Sequence, residues 1–99
     1  MSRQYTLDGH KPVAAEDLIA WAKWYEKADR HVADTTVGDV RVSTVFLGID
    51  HNWNPKGAPI LFETMVFGGP LDQEQERYRT WEEAEAGHAS WVERVKQAR

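Results

Sequence analysis

The sequence predicts one small α+β domain, in which a short antiparallel sheet is packed by two helices. Two stretches rich in β-branched and aromatic residues, at about 40–50 and 60–68, are separated by a polar loop that contains Pro and Gly, as expected for an antiparallel hairpin. Apolar residues recur at helical spacing at about 15–28 and 81–97, and this recurrence predicts the two helices. Ninety-nine residues suit a single domain covering residues 1–99.

Two short β elements are expected beside the central hairpin. Asp8-Gly9 predicts a tight turn within a small hairpin near residues 4–13, because Asp-Gly is favoured at the centre of a type I′ turn. Pro12 cannot donate a ladder hydrogen bond, so this hairpin belongs at an edge. A further short strand is expected near residues 31–36.

The first helix is predicted from one apolar stripe, and its acidic residues are expected at its start. Glu16 and Asp17 would lie in the first turn, where negative charge suits the helix dipole. Trp24 lies beside the stripe rather than at its centre. The stripe expected to face the core consists of Leu18, Trp21, Ala22, Tyr25 and Ala28.

The central hairpin is apolar on both of its predicted faces. One face of its first strand carries Val42 and Phe46, and the other carries Val45, Leu47 and Ile49. Strands of this kind are usually covered on both sides. Two helices would cover one face, so the other would need the N-terminal hairpin, a loop or a second subunit. A homodimer through the hairpin is therefore one partner prediction.

The second helix has a clear predicted start. Thr80 and Glu83 fit a capping box, in which each side chain bonds the backbone amide of the other residue. Gly87 in mid-helix costs about 1 kcal/mol relative to Ala, which indicates a close approach to the sheet. The predicted inner stripe consists of Trp81, Ala84, His88, Trp91, Val92 and Val95.

Charge and composition exclude several classes of function. The net charge is −4, and residues 72–86 alone carry that excess, whereas the rest of the chain is neutral and has no basic patch. Nucleic-acid binding is therefore not expected. The window is interpreted as a solvated loop and helix start, or as an acidic surface that docks on a basic partner or mimics nucleic acid. Its acidic residues are Asp72, Glu74, Glu76, Glu82, Glu83 and Glu85.

Two other features of the sequence bear on the cellular compartment and on stabilisation by disulfides or metal sites. Cys is absent, so disulfides and thiolate metal sites are excluded. No apolar run reaches the length of a signal peptide or a membrane helix, so a cytoplasmic protein without membrane contact is expected.

Five residues are candidates for an interaction or ligand site. His88 interrupts an apolar stripe, as a structural histidine or as a ligand or base. Glu63 lies mid-strand among apolar neighbours, where it would be either an ion-pair partner or a buried acid. Asp50 and His51 follow a strand, where either turn chemistry or a functional loop is expected. The prediction places a site around Asp50, His51 and Glu63 with His88 beneath, and Trp24 is added as a partly exposed aromatic residue.

The sequence gives little support for catalysis. His51, Glu63 and His88 are residue types that bind zinc, but no local spacing supports a metal site. No catalytic residue is assigned, because no nucleophile elbow and no phosphate-binding glycine loop occurs. No cofactor is expected.

Two strand motifs carry a resemblance over nearly the whole chain. Val42-Ser43-Thr44-Val45-Phe46-Leu47-Gly48-Ile49-Asp50-His51 and Leu61-Phe62-Glu63-Thr64-Met65-Val66-Phe67-Gly68-Gly69 resemble small uncharacterised proteins of tailed bacteriophages and prophages. Trp21-Ala22-Lys23-Trp24-Tyr25-Glu26 and Glu83-Ala84-Glu85-Ala86-Gly87-His88 add to the resemblance. That family has no established activity, so the resemblance implies only a context, a viral accessory protein in a bacterial host cytoplasm.

Three functions remain open at this point. The first is a non-enzymatic accessory protein that binds a host or phage protein, for example an anti-CRISPR-like or other anti-defence inhibitor. The second is an oligomeric structural protein of the virion or its assembly. The third is a small metal-dependent enzyme or ligand-binding protein that uses His51, Glu63 and His88.

Overall fold

The predicted α+β class is confirmed by the computed structural model, which describes residues 3–54 and 56–98. Two strands form a separate hairpin, and four strands form an antiparallel sheet in sequential order, β3-β4-β5-β6. The elements are β1 (Tyr5–Asp8), β2 (Lys11–Ala14), α1 (Leu18–Lys27), β3 (His31–Val37), β4 (Val40–Phe46), β5 (Phe62–Phe67), β6 (Gln75–Tyr78) and α2 (Trp81–Ala98).

The predicted central hairpin is confirmed, with shorter strands than expected. β4 and β5 pair antiparallel with Val45 opposite Glu63, but β4 ends at Phe46 instead of continuing to residue 50. The chain leaves the ladder because Gly48 takes a positive φ of 77°. The backbone carbonyl of Gly48 then accepts from the amide of Tyr5 at 2.8 Å, so the N-terminal hairpin is attached at this end of the sheet.

The N-terminal hairpin is present, but its predicted turn type is wrong. Asp8 pairs with Lys11, so Gly9 and His10 occupy the centre of the turn. Gly9 has a φ of 61°, whereas His10 is not among the described residues with positive φ. This is the pattern of a type II′ turn, which needs Gly only at its first central position. Because the turn is centred one residue later than predicted, Gly9 takes the positive φ and Asp8 does not have to.

Helix α1 begins later than predicted, and its start differs in chemistry. Asp17 is the N-cap, and its carboxylate accepts from the amides of Ile19 at 3.0 Å and Ala20 at 3.1 Å. The prediction that Asp17 lies in the first turn is therefore wrong, because its side chain satisfies amides that the helix leaves unbonded. Leu18 is 60% exposed and does not face the core. Trp24 contacts the core instead, edge-on to Phe46.

The acidic window contains a strand, β6, that the sequence interpretation missed. Residues 75–78 pair with β5, and Tyr78 lies opposite Phe62. Three of the four residues in β6 are polar or charged and exposed, so nothing in their composition favours a strand. The β5 ladder and the burial of Tyr78, which is 8% exposed, hold the segment in place.

Helix α2 covers one face of the four-stranded sheet and forms the core with it. It contacts all four strands of that sheet. Phe46, Phe62 and Val66 are fully buried on this face. The predicted close approach at Gly87 is confirmed, because a Cβ there would overlap the ring of Tyr78.

The second face of the sheet is not covered by any helix or strand of the described residues, so the N-terminal hairpin does not cover it, and cover by a second subunit stays a prediction. We call it the open face. Leu47 and Ile49 lie beyond the end of β4, which leaves only Val45, Met65 and Phe67 as its apolar side chains. Ion-paired side chains lie among these apolar residues, as is usual where one face of an antiparallel sheet is solvated. These charged residues are Asp34, Arg41, Glu63 and Arg77.

Candidate functional site

A buried histidine lies between the sheet and α2, and threonines bond both of its ring nitrogens. His88 is 6% exposed, and its Nδ1 lies 2.7 Å from Oγ1 of Thr44. Its Nε2 lies 2.8 Å from Oγ1 of Thr35 on the neighbouring strand. Each contact is a hydrogen bond, so the buried ring is satisfied at both ends.

The hydrogen bonds continue across the sheet to its β6 edge. Thr44 and Thr64 are joined through their Oγ1 atoms at 2.6 Å, and the hydroxyl of Tyr78 donates to Thr64 at 3.0 Å. At the edge, the carboxylate of Glu76 accepts from Nε1 of Trp91 at 2.9 Å. The network therefore links all four strands to α2 through side chains.

The network favours a neutral imidazole. Burial lowers the pKa of His88 below its ordinary value, and the negative charge of Asp34 only partly opposes that shift. In the neutral ring one nitrogen donates and the other accepts, so one threonine donates to the ring and the other accepts from it. A ring this enclosed has no room for a substrate, and we interpret His88 as a residue that holds the strands and α2 together.

Tyr78 responds to burial in the opposite direction. Desolvation of its hydroxyl raises the pKa of Tyr78, and the nearby carboxylate of Glu76 adds to the effect. The ring is wedged against α2 at Gly87, and its hydroxyl is bonded to Thr64. Tyr78 therefore stays protonated at physiological pH and acts as a hydrogen-bond donor.

An accessible cleft lies beside this network, between β6 and α2, and we call it the β6–α2 cleft. Its volume is about 510 Å³. One wall is β6 with Glu76, Arg77 and Tyr78, followed by Arg79, and the other is the face of α2 that carries Glu83, Gly87 and Ser90. Carboxylate and guanidinium groups therefore both line the cleft. The small residues on the helix leave space that larger side chains would fill. Glu76 and Tyr78 belong to the hydrogen-bond network and line this cleft, so the network borders solvent here.

Asp50 and His51 serve the loop after β4. The carboxylate of Asp50 accepts from the backbone amides of Asn52 at 2.7 Å and Ile60 at 2.9 Å, which closes the loop onto the start of β5. His51 bonds the carbonyl oxygen of Ile49 through Nδ1 at 2.8 Å. Both contacts are the turn chemistry that the sequence offered as the alternative to a site.

Glu63 and His88 lie on opposite sides of the sheet. Glu63 belongs to the open face, where its carboxylate accepts from Nε of Arg77 at 2.9 Å. Its neighbours along the strand, Phe62 and Thr64, face α2 and His88. The structure therefore does not assemble the predicted group of Asp50, His51 and Glu63 above His88. Within residues 3–54 and 56–98, no three His, Asp or Glu side chains form a group that could hold a metal ion.

The acidic residues divide into two groups. Asp72 accepts from the amide of Gly68 at 2.6 Å, Glu76 bonds Trp91, and Glu83 completes the predicted capping box with Thr80. Those three have structural partners. The side chains of the remaining three are exposed and make no hydrogen bond or ion pair within the described part of the chain: Glu74, Glu82 and Glu85.

The threonines of the network were missed in the sequence, although a signal for them exists. Thr44 and Thr64 interrupt apolar faces of neighbouring strands, as His88 interrupts the apolar stripe of α2. Polar residues on faces that meet in the core must find each other or remain unsatisfied. Pairing them requires the strand register, in which Thr44 lies opposite Thr64.

No family model, no curated protein and no solved structure matches this chain. The phage resemblance therefore stays a prediction. No helix in the described ranges is long and apolar enough to span a bilayer.

Proposed function

We propose that this chain is a non-enzymatic, phage-encoded accessory protein that binds a host or phage protein, with antagonism of a host defence system as the purpose that fits best. The observation that carries the proposal is a set of exposed acidic side chains that have no hydrogen bond or ion pair among the described residues, Glu74, Glu82 and Glu85. These side chains do not stabilise the fold through any hydrogen bond or ion pair within the described residues. Exposed charge of one sign is typical of a surface that attracts an oppositely charged partner.

The sign of the charge narrows the class of partner. A negative surface repels the phosphate backbone of nucleic acids and favours a basic protein surface. Enclosure of His88 and the lack of a metal-binding group among the described residues give no support to the metal-dependent alternative. An accessory protein that occupies a basic surface of a host protein needs no catalytic group.

Affinity capture from bacterial lysate, read by mass spectrometry, tests the proposal. The tagged protein is compared with a variant carrying Glu74→Lys and Glu85→Lys, and with a control carrying Glu16→Lys and Glu26→Lys. All four positions are exposed, and both variants change the net charge by the same amount. A specific partner should be lost with the first variant and retained with the control. Equal capture by all three proteins, or no partner above background in several hosts, would count against the proposal.

A second candidate, a homodimer of the virion or assembly type, is favoured by the open face. Phe67 is 44% exposed there, next to Met65 and Val45. Charges alternate across the strands, with Asp34 on β3, Arg41 on β4, Glu63 on β5 and Arg77 on β6. A two-fold axis parallel to the strands would place β3 over β6 of a second copy and bring unlike charges together.

Light scattering decides between monomer and dimer. A dimer that dissociates on Phe67→Lys, but not on the exposed control Leu18→Lys, would favour the open face as an interface. A monomer at high concentration would remove this candidate.

A further inference from the structure

We propose that the buried network is a proton-driven switch: when His88 takes up a second proton, the hydroxyl groups beside it reverse their hydrogen bonds and carry the change to Glu76 in the β6–α2 cleft. We call the three hydroxyl groups, those of Thr44, Thr64 and Tyr78, the hydroxyl chain. The inference goes beyond the proposed function, because it concerns side chains inside the fold and requires no partner.

The hydroxyl chain is a single file of hydrogen bonds. Thr44 lies between Nδ1 of His88 at 2.7 Å and Thr64 at 2.6 Å, and the hydroxyl of Tyr78 follows at 3.0 Å from Thr64. Thr44 and Thr64 are fully buried, and their hydroxyls bond no other side chain among the described residues. Each hydroxyl has one proton to donate, so each donates to one neighbour and accepts from the other. The chain therefore has two directions, toward His88 or toward Glu76.

The distances at Tyr78 favour the direction toward His88 while the ring is neutral. The hydroxyl of Tyr78 lies 3.0 Å from Thr64 but 3.4 Å from Oε1 of Glu76. That oxygen already accepts from Nε1 of Trp91 at 2.9 Å. Tyr78 therefore donates to Thr64, because the shorter contact is the stronger hydrogen bond.

This direction determines the tautomer of the neutral ring. Thr64 donates to Thr44, and Thr44 donates to Nδ1 of His88, so Nδ1 carries no proton. The proton of the ring is on Nε2, which donates to Oγ1 of Thr35 at 2.8 Å. Each hydrogen bond along the neutral network then has one donor and one acceptor.

A second proton on the ring forces the chain to reverse. The imidazolium donates from both nitrogens and accepts at neither, so Thr44 must accept from Nδ1. The proton of Thr44 then turns to Thr64, and the proton of Thr64 turns to the oxygen of Tyr78. One proton is taken from solvent and held at Nδ1, and no bond between heavy atoms forms or breaks.

The reversal ends in the β6–α2 cleft. The hydroxyl of Tyr78, which now accepts from Thr64, donates to Oε1 of Glu76. The same oxygen still accepts from Nε1 of Trp91 on α2. Glu76 and Tyr78 line the cleft on β6, so the protonation state of a buried ring alters the contact between the edge strand and the helix.

The groups around the ring place the switch on the acid side of the ordinary histidine range. Burial lowers the pKa of His88, and the carboxylate of Asp34 on β3 opposes that shift. On the core face, β4 and β5 carry no titratable side chain, and β6 carries Glu76 and Tyr78. On α2, Glu85 lies one turn before His88 and is exposed. The other titratable side chains of the four strands belong to the open face: His31, Arg41, Glu63 and Arg77.

NMR of the full chain tests the switch through the His88 ring nitrogens and the Tyr78 ring carbon Cζ. At neutral pH we expect the proton of His88 on Nε2. During acid titration the Cζ resonance of Tyr78 should move with the same midpoint as His88. The titration is repeated in Glu76→Gln, which keeps an acceptor oxygen but cannot titrate, and the joint movement should remain. In His88→Gln it should disappear.

Thr64→Val interrupts the chain and nearly keeps the shape of the side chain. Thr44 would lack an acceptor in the reversed state, so the proton affinity of His88 should fall about fivefold, as expected for the loss of one hydrogen bond. The movement of Tyr78 at the His88 midpoint should also disappear. Thr36→Val, the same substitution at an exposed position of β3, should change neither result.

Tyr78→Phe supplies an independent measurement if Thr64→Val does not fold. Thr64 would then lack an acceptor in the reversed state only, so the proton affinity of His88 should again fall about fivefold. A histidine that merely fills the core would lose stability in these variants without a change in its proton affinity.

Several results would overturn the inference. They are a proton on Nδ1 at neutral pH, a Tyr78 resonance that does not follow His88, an equal His88 midpoint in Tyr78→Phe and the parent protein, and unfolding of the parent protein before His88 titrates. None of these results bears on capture of a partner, so failure of the switch is distinguishable from failure of the proposed function.

Discussion

The contact between α2 and Tyr78 predicts that Gly87→Ala destabilises the protein, although Ala is the better helix former. On an open helix surface this substitution would stabilise by about 1 kcal/mol. Here the new methyl group would overlap the ring of Tyr78. That ring cannot turn aside, because it is 8% exposed and its hydroxyl is bonded to Thr64.

The opposing costs are larger than the gain in helix propensity. Forcing a methyl group into a packed contact costs about 1–3 kcal/mol. Displacing the tyrosine hydroxyl from Thr64 adds about 1 kcal/mol. After subtracting the propensity gain of about 1 kcal/mol, we expect the free energy of unfolding to fall by about 2 kcal/mol.

Urea denaturation measures the effect, and a double-mutant cycle identifies its cause. In a Tyr78→Ala background the overlap is gone, so Gly87→Ala should stabilise by about 1 kcal/mol. Ala89→Gly, at an exposed position of the same helix, calibrates the propensity contribution. Stabilisation by Gly87→Ala in the parent protein, or the same effect in both backgrounds, would refute the close contact.

Three further predictions concern the network and the start of α2. The pKa of His88 is lowered in the folded state, so the free energy of unfolding should fall as the pH drops below the unfolded value of about 6.5. Urea titrations at several pH values should show this slope in the parent protein and not in His88→Gln. The pKa of Tyr78 is raised, so stability should fall as the pH rises above 10, and Tyr78→Phe should flatten that loss in the same measurement. Thr80→Ala removes the cap bonded to the Glu83 amide and should cost about 1 kcal/mol, whereas Ser90→Ala on the exposed helix surface should change stability little; equal effects would argue against the capping box.

Local signals in the sequence were sufficient where one residue type determines one structure. The capping box at Thr80 and the close approach at Gly87 are both present as predicted. The capping box joins two residues that are three apart, and a glycine in mid-helix is visible in the sequence even though its contact, Tyr78, lies on the missed strand β6. The central hairpin was predicted for the same reason, since β-branched residues and a polar loop mark it without knowledge of the rest of the chain.

Features that depend on contacts distant in sequence were not predicted. Strand β6 exists because Tyr78 packs beside Phe62 and the β5 edge offers a ladder, although its own residues are charged. The opposite placement of Glu63 and His88 follows from strand register, in which one position decides the face of the sheet. The threonine partners of His88 needed the same register. A sequence alone contains these residues but does not determine which of them meet.

Hydrogen–deuterium exchange of this protein in complex with a captured partner tests the central claim most directly. The account predicts slower exchange of the amides around Glu74 and in the first turns of α2, around Glu82 and Glu85. The open face, around Val45 and Met65, should exchange as it does in the free protein. Protection confined to the open face, with the amides around these acids unchanged, would contradict the account.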